Sequence, residues 1–353
     1  MEPLELVPGR YIGEGQPCFV IAEIGQNHQG DIQLAKTLIR RAKECGADCV
    51  KLQLSSLTAK FNKAALSRPY DSEHAWGVTY GAHKKHLEFS RDQVAELQQF
   101  AAEVDIPLTA SAMDIPSVHT LIELEVPFIK VGSGDIHNLP LIRTAAASNR
   151  PLVLSTGMCD VDWVSQVYEE LTMVHDPPVP LVILQCTSAY PTPPDQVHLR
   201  VLDTYAQMFP HAHVGYSGHE LGVHITVAAV ARGARVVERH LTLNKTWKGS
   251  DHACSLEPND LRDLITAIRS VEAALGSPLK AFQPCEEPCY TKLGKTVVAA
   301  RAIEAGQVLE ERDLLAKVAD PRGVPAERLD SLLGSRLNRD VAVDQSVMEE
   351  DIL

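Results

Sequence analysis

No run of about 18 uncharged apolar residues occurs in the chain, so no segment has the length a membrane-spanning helix needs. An excess of basic residues is missing as well. With 33 Lys and Arg against 46 Asp and Glu, the formal net charge is −13, the opposite of the broad basic face that nucleic acid or an anionic membrane would require. The opening residues Met1-Glu2-Pro3-Leu4-Glu5 carry neither a basic segment nor an apolar stretch of signal-peptide type, and a cytoplasmic location is expected. Cysteine is sparse, at eight residues. Cys18 and Cys186 lie inside apolar runs, as reduced, buried small hydrophobes do. The pairs Cys45/Cys49 and Cys285/Cys289 are not completed by a second Cys or His pair at zinc-site spacing. No Walker loop, dinucleotide glycine fingerprint or nucleophile elbow is present, which argues against kinase, dehydrogenase and serine-hydrolase chemistry.

What is present is an ordinary globular composition, 45% hydrophobic and 22% charged, in 353 residues. That length suits a (β/α)8 barrel of roughly 250 residues with a small second unit. Eight short apolar runs read as strands buried on both faces: 18–24, 49–53, 107–111, 127–131, 152–155, 181–186, 213–216 and 235–238. Amphipathic patterns alternate with them at 32–44, 91–103, 117–123, 139–147, 161–171, 199–208, 221–231 and 260–275. Asp31 is placed to cap the first helix, and Gly46 to end it. Such alternation dictates a parallel sheet, and eight repeats close it into a TIM barrel. The barrel domain is expected over 1–283. Prolines around 284–291 suggest a linker, and 292–353 reads as a small β-rich domain.

The reactive residues keep one phase. Glu23, Lys51, Gln53, Lys130, Ser155, Thr187, Ser217, His219, Glu238 and His240 each stand at or just past the downstream end of an apolar run, where barrel enzymes assemble their active sites. Lys51 and Lys130 would bury charge without an obvious partner, which an anionic ligand resolves. Ser133, Ser155 and Ser217 stand beside glycines in turns able to cradle phosphate or carboxylate. His219 and His240 follow consecutive strands. Their placement fits a divalent-metal pair and a hydrogen-bonded pair equally. Asp135, Glu238 and Asp251 offer acid–base groups or sugar-hydroxyl anchors, with a structural ion pair the alternative for each. Residues 26–30, Gln-Asn-His-Gln-Gly, read as a hydrogen-bonding surface for a polyhydroxy ligand. The long segment 54–90 carries Lys60, Lys63, Arg68, Lys84 and Lys85 and reads as a binding loop or a solvated insertion.

The motifs Glu23-Ile24-Gly25-Gln26-Asn27-His28, Lys130-Val131-Gly132-Ser133-Gly134-Asp135, Gln185-Cys186-Thr187-Ser188-Ala189-Tyr190-Pro191, Gly215-Tyr216-Ser217-Gly218-His219-Glu220 and Glu238-Arg239-His240 occur in order. With them the chain resembles the sialic acid synthases, in particular their animal branch, almost end to end. Its last residues resemble the antifreeze-like (SAF) domain of that family. The resemblance implies condensation of phosphoenolpyruvate with an N-acylated hexosamine phosphate, N-acetylmannosamine 6-phosphate, giving N-acetylneuraminate 9-phosphate and phosphate. It implies that Lys51, Lys130, Ser133, Ser155, Ser188 and Ser217 hold phosphoenolpyruvate and that Gln53, Tyr190 and Glu238 surround the ligands. By the same resemblance His219 and His240 would bind Mn2+ or Mg2+, and Glu23, Asp135 and Asp251 would act as catalytic carboxylates. A homodimer is implied in which each antifreeze-like domain caps the partner's barrel. The chain departs from the family pattern at three places. Leu54 stands where animal relatives tend to carry Lys, Ser188 replaces the Asn of bacterial relatives, and Lys317-Val318-Ala319 stands where bacterial relatives offer a capping Arg, with Arg322 the nearest substitute. Two other readings are a synthase of the same chemistry acting on mannose 6-phosphate, and a catalytically silent sugar-binding scaffold.

Overall fold

Alternation along each strand sorts the side chains into an outer and an inner set, and the structure follows that sorting closely. The computed structural model describes residues 1–174 and 178–353. Two short strands, β1 (Leu4–Val7) and β2 (Arg10–Ile12), form an antiparallel hairpin. Eight strands then close a parallel barrel: β3 (Phe19–Gly25), β4 (Cys49–Leu54), β5 (Leu108–Ala112), β6 (Ile129–Val131), β7 (Leu152–Ser155), β8 (Leu181–Cys186), β9 (Ala212–Gly218) and β10 (Val236–His240). β10 pairs with β3 to complete the ring. Helices of the expected periods connect the strands, among them Ile32–Cys45, Arg91–Glu103 and Pro258–Leu275. Asp31 caps the first of these by accepting from the Gln33 and Leu34 amides, and Gly46 ends it at φ 92°.

On β3, Val20, Ala22 and Ile24 face the helices, while Phe19 and Ile21 face inward. On β4, Val50, Leu52 and Leu54 face out and Cys49 faces in. The lower interior is an apolar plug of Phe19, Ile21, Cys49, Phe128, Val153 and Val236, and it continues into Leu6, Val7 and Ile12 of the hairpin. The hairpin is therefore a stopper for the N-terminal end of the barrel, and no sequence pattern announced it. Arg10 fastens it by donating to Asp48 Oδ1 at 3.0 Å and to the Pro17 carbonyl at 2.9 Å. A cleft of about 830 Å3 lies at this same end, lined by residues such as Val7, Gln98, Pro107 and Arg150, away from the polar strand ends.

The chain divides into two compact units, 1–276 and 277–353. The expected linker 284–291 is not extended: a single turn at Pro284–Glu286 leads into a helix over Glu287–Leu293. Pro288 falls in the helix's first turn, where its missing N–H has no helical partner to lose. The second unit has only two regular strands, β11 (Thr296–Ala299) and β12 (Leu314–Lys317), antiparallel to each other. Isolated bridges such as Ile303 to Val341 complete it around Val297, Ile303, Leu309, Val324, Leu337 and Val347. Among the described residues no helix is long and apolar enough to cross a membrane.

Ile12 is fully buried in the stopper, so Ile12→Ala is expected to lower stability by about 2–5 kcal/mol. Chemical denaturation should show the loss, with the kinetics of the folded enzyme retained because the hairpin lies at the far end from the polar strand ends.

Candidate active site

Parallel register brings the inward polar residues to one level. Glu23 pairs across to Lys51 and to His240, Gln53 to Ser111, Ser111 to Lys130, and Ser217 to Glu238. All lie one or two pleats above the apolar plug, at the C-terminal mouth. They line a cavity of about 330 Å3 together with Ser133, Ser155, Ser188, Tyr190 and His219.

At its floor two lysines and two glutamates form a buried quartet. Lys51 Nζ lies 2.6 Å from Glu23 Oε2 and 3.6 Å from Glu238 Oε1, and it donates to Ser111 Oγ at 2.7 Å. Lys130 Nζ donates to Ser155 Oγ at 2.7 Å and lies 3.9 Å from Glu238 Oε2. Gln53 donates to Glu23 Oε1 at 3.2 Å. The two carboxyls are driven apart. Burial pushes Glu23 above the ordinary carboxylate range, and Lys51 offsets this only in part. Burial acts on Glu238 too, but Lys130 and Lys51 together outweigh it and hold that carboxyl low. Burial likewise depresses the Lys130 ammonium, whereas Lys51, facing both glutamates, is held high against its own burial. Environments that separate two like groups in this way make Glu23 the readier of the two to take up a proton and Glu238 the readier to stay charged.

The histidines stand beside the quartet with ring centroids 5.4 Å apart. His219 Nδ1 lies 3.3 Å from the Thr187 carbonyl, which fixes the proton on that nitrogen and leaves Nε2 free to ligate. Burial drives the His219 pKa to about 3, so the ring is neutral, the form that binds metal. His240 Nδ1 is buried with no hydrogen-bond partner, and Asp251 Oδ2 is 4.0 Å away. No third His, Cys, Asp or Glu converges with them among the described residues. The donor set fits a divalent ion bound by two imidazoles with the remaining positions open to substrate or water. Tyr190 lies over His219 at 4.2 Å and edge-on to His240 at 6.2 Å.

The serine turns meet here. The Gly157 amide donates to Ser133 Oγ at 3.0 Å, and a Cβ at Gly157 would collide with the hydroxyls of Ser188 and Ser133. Ser188 Oγ is buried and unpartnered. Asp135 and Asp251 do not line the cavity. They occupy loops at its rim, Asp135 accepting from Asn138 and Asp251 from Ser250. The segment 26–30 is not a ligand surface as a whole. Asn27 donates to the Leu241 carbonyl and Ser255, and His28 stacks on Phe89 at 4.0 Å, so both are committed to holding the loop. Leu54 points outward into the apolar layer, so this position gives no charge to the mouth. Sequence reasoning passed over Ser111, Met113 and Cys186, which also line the cavity. Ser111 and Cys186 end their strands, so the phase rule that singled out the others would have found them.

A second network, outside the barrel wall, holds the β9 end in place. Arg239 alternates with inward Glu238 and His240. It donates to Glu220 Oε1 at 2.8 Å, to the Glu220 carbonyl at 2.6 Å and to Thr226 Oγ1 at 2.8 Å, in full burial. Tyr216 also donates to Glu220, at 2.8 Å. The loop bearing His219 is thereby clamped to the next strand.

Comparison with known proteins agrees with this geometry. Residues 38–280 match the model of the NeuB family, and residues 294–353 match the SAF domain. The chain is 54% identical to the N-acetylneuraminate-9-phosphate synthase of Homo sapiens, over 98% of this chain and 96% of that protein. It is 45% identical to the N-acetylneuraminate-9-phosphate synthase of Drosophila melanogaster, over 99% of both. The crystal structure of an N-acetylneuraminic acid (sialic acid) synthetase from Leptospira borgpetersenii in complex with citrate superposes with a TM-score of 0.69 at 28% identity, covering 81% of this chain and 94% of that one.

Glu220→Ala would leave the Arg239 guanidinium buried without its partner and is expected to cost about 3–5 kcal/mol of stability. Thermal unfolding should show a smaller loss when Arg239→Met is combined with it, since the stranded charge is then gone.

Proposed function

The chain belongs to the NeuB family, and on that premise we propose that it condenses phosphoenolpyruvate with N-acetylmannosamine 6-phosphate to give N-acetylneuraminate 9-phosphate and phosphate, a transferase step of sialic acid biosynthesis. The observation that carries this reading is the pair of wholly buried lysines beside an unpartnered hydroxyl and an unpartnered imidazole nitrogen. Such orphaned buried groups are satisfied by ligands.

In this reading phosphoenolpyruvate lies on the cavity floor. Lys51 and Lys130 receive its phosphate and carboxylate, with hydroxyls from Ser133, Ser155, Ser188 and Ser217. His219 and His240 would hold Mn2+ or Mg2+, which supplies a Lewis acid for the aldehyde of the open-chain sugar. C3 of the enolpyruvate attacks the aldehyde carbon, and Glu23, whose raised pKa favours retention of a proton, delivers it to the new alkoxide oxygen. Water adds to C2 and gives a proton back to the Glu23 carboxylate, and the C2–O bond then breaks as the C2 hydroxyl becomes the ketone, its proton leaving with phosphate. Glu238 stays ionised and balances the cation developing at C2. Gln53 aims Glu23, Tyr190 buttresses His219, and Asp135 and Asp251 at the rim orient sugar hydroxyls or the attacking water.

The same proposal includes a homodimer with the second unit capping the partner's barrel. Exposed Leu315 and Val318 on and beside β12 support it as apolar surface a subunit would cover. Arg322 is engaged within its own unit, donating to the Tyr290 carbonyl at 2.9 Å and stacking on that ring at 4.3 Å. A cytoplasmic site of action is supported by the free thiols at all eight cysteines.

Phosphate release from phosphoenolpyruvate with Mn2+ tests the reading directly. N-acetylmannosamine 6-phosphate should sustain turnover better than mannose 6-phosphate, and His219→Ala should reduce it by about 100-fold or more. Absence of turnover with every sugar, in folded protein, would overturn it. Affinity for phosphoenolpyruvate should also weaken as pH rises, beginning below the ordinary lysine range. The charged form of Lys130 binds the anion, and burial makes that form lose its proton early. Calorimetric titration across alkaline pH should show this limb in the native enzyme and its absence in Lys130→Met.

A further inference from the structure

The two substrates of the proposed reaction both carry a phosphate, and the floor quartet has cations for only one of them. Two dianions in one small cavity repel strongly unless each has its own counter-charge. A chain of net charge −13 supplies that charge only locally. The insertion between β4 and β5, which folds as the short helices Leu57–Lys60, Lys63–Ser67 and Tyr80–Leu87, bears five basic residues that sequence alone does not rank.

The structure ranks them. Lys63 and Lys85 are exposed, and Arg68 is also exposed, with its guanidinium over the Tyr80 ring at 4.3 Å. Lys60 and Lys84 are half-buried. Lys60 Nζ sits 2.7 Å from the sulfur of Met113, a cavity-lining residue and a weak acceptor for an ammonium. Lys84 Nζ donates to Gln26 Oε1 at 2.8 Å, just past the end of β3. Among the described residues neither ammonium has a carboxylate within ion-pair distance; their close partners are Met113 and Gln26. Each feels the rim carboxylates at longer range, Lys60 those of Asp135, Glu88 and Asp114, and Lys84 those of Asp251 and Glu88. Burial, and for Lys60 the repulsion of Lys84, leaves both ammonium groups under-compensated.

We propose that Lys60 and Lys84 together form the subsite for the phosphate of the sugar substrate, at the rim of the mouth, separate from the phosphoenolpyruvate floor. This rests on the synthase reading above. The floor lysines hold the donor, the histidines face the aldehyde, and the far end of the extended hexose reaches the rim pair. Gln26, bridging Lys84 to Glu88 through a 3.0 Å bond from its own amide, keeps Lys84 aimed. The subsite would make the enzyme discriminate for a phosphorylated sugar.

Steady-state kinetics of the full-length enzyme with N-acetylmannosamine 6-phosphate and with N-acetylmannosamine decides the point. In Lys60→Met and Lys84→Met the preference for the phosphorylated sugar should fall roughly 10- to 100-fold, the value of one charge-assisted contact, and chiefly through KM. Lys60→Arg and Lys84→Arg keep the charge and should keep most of the preference, and thermal unfolding confirms that each variant is folded. Folded Met variants with the native preference overturn the subsite and leave the synthase reading standing. If a Met variant does not fold, a folded Lys60→Gln or Lys84→Gln variant takes its place: a fallen preference supports the subsite, and the native preference overturns it. A native enzyme that turns over neither sugar overturns the synthase reading, and the subsite with it.

Discussion

Four ionisable groups share the floor of the barrel mouth: Glu23 and Lys51 in direct contact, Glu238 between Lys51 and Lys130, and Lys130 the least compensated of the set. Burying so many ions is expensive, and mutual pairing repays the cost only where geometry is good and every remaining proton and lone pair is met. Here the repayment is incomplete. Oε2 of Glu238, the oxygen facing Lys130, has no hydrogen bond, nor does Nδ1 of the neighbouring His240. A fold that tolerates this must be held rigid by other parts of the molecule, and the rest of the structure can be understood as that support.

Support comes from two directions. Below, the interior is closed by aromatic and aliphatic side chains and by the N-terminal hairpin, so the charged layer rests on a dry, filled core. A dry floor keeps the local dielectric low and makes each charge act strongly on its neighbours. At the side, the Arg239–Glu220 clamp fixes the strand ends from outside, with hydrogen bonds to Thr226 and Tyr216. The inner histidines and the outer arginine occupy adjacent positions on one strand. A change in that clamp is therefore felt in the site without any contact with ligand.

Much of this was readable before any coordinates, because barrel strands buried on both faces leave continuous apolar runs and polar residues at their ends stand out. Lys51 and Lys130 were legible for that reason. Leu54 was not: only the pleat decides that residues 51 and 53 face in while 54 faces out. The stopper hairpin was invisible because its strands of four and three residues are too short to show a period. The helix over 287–293 hid behind prolines that mark linkers and helix starts alike. Asp135 and Asp251 entered the carboxylate set through the family resemblance rather than through strand phase, and their side chains sit beside the cavity, Asp135 accepting from Asn138 and Asp251 from Ser250 with His240 4.0 Å away.

The acidity of the whole chain and the anionic character of its ligands then fit together. Far surface charge is screened within about 10 Å at ordinary ionic strength, so a net charge of −13 does not repel a phosphate already in the mouth. What counts is the small set of cations inside that distance. On the floor these cations are wholly buried and set against glutamates; at the rim they are half-buried, with no close carboxylate among the described residues. On the reading proposed above, the floor would exchange one partner for another when an anion enters, whereas the rim would gain a partner it lacked. On that reading the difference would suit the floor to holding a reacting group in fixed geometry and the rim to telling a charged sugar from a neutral one.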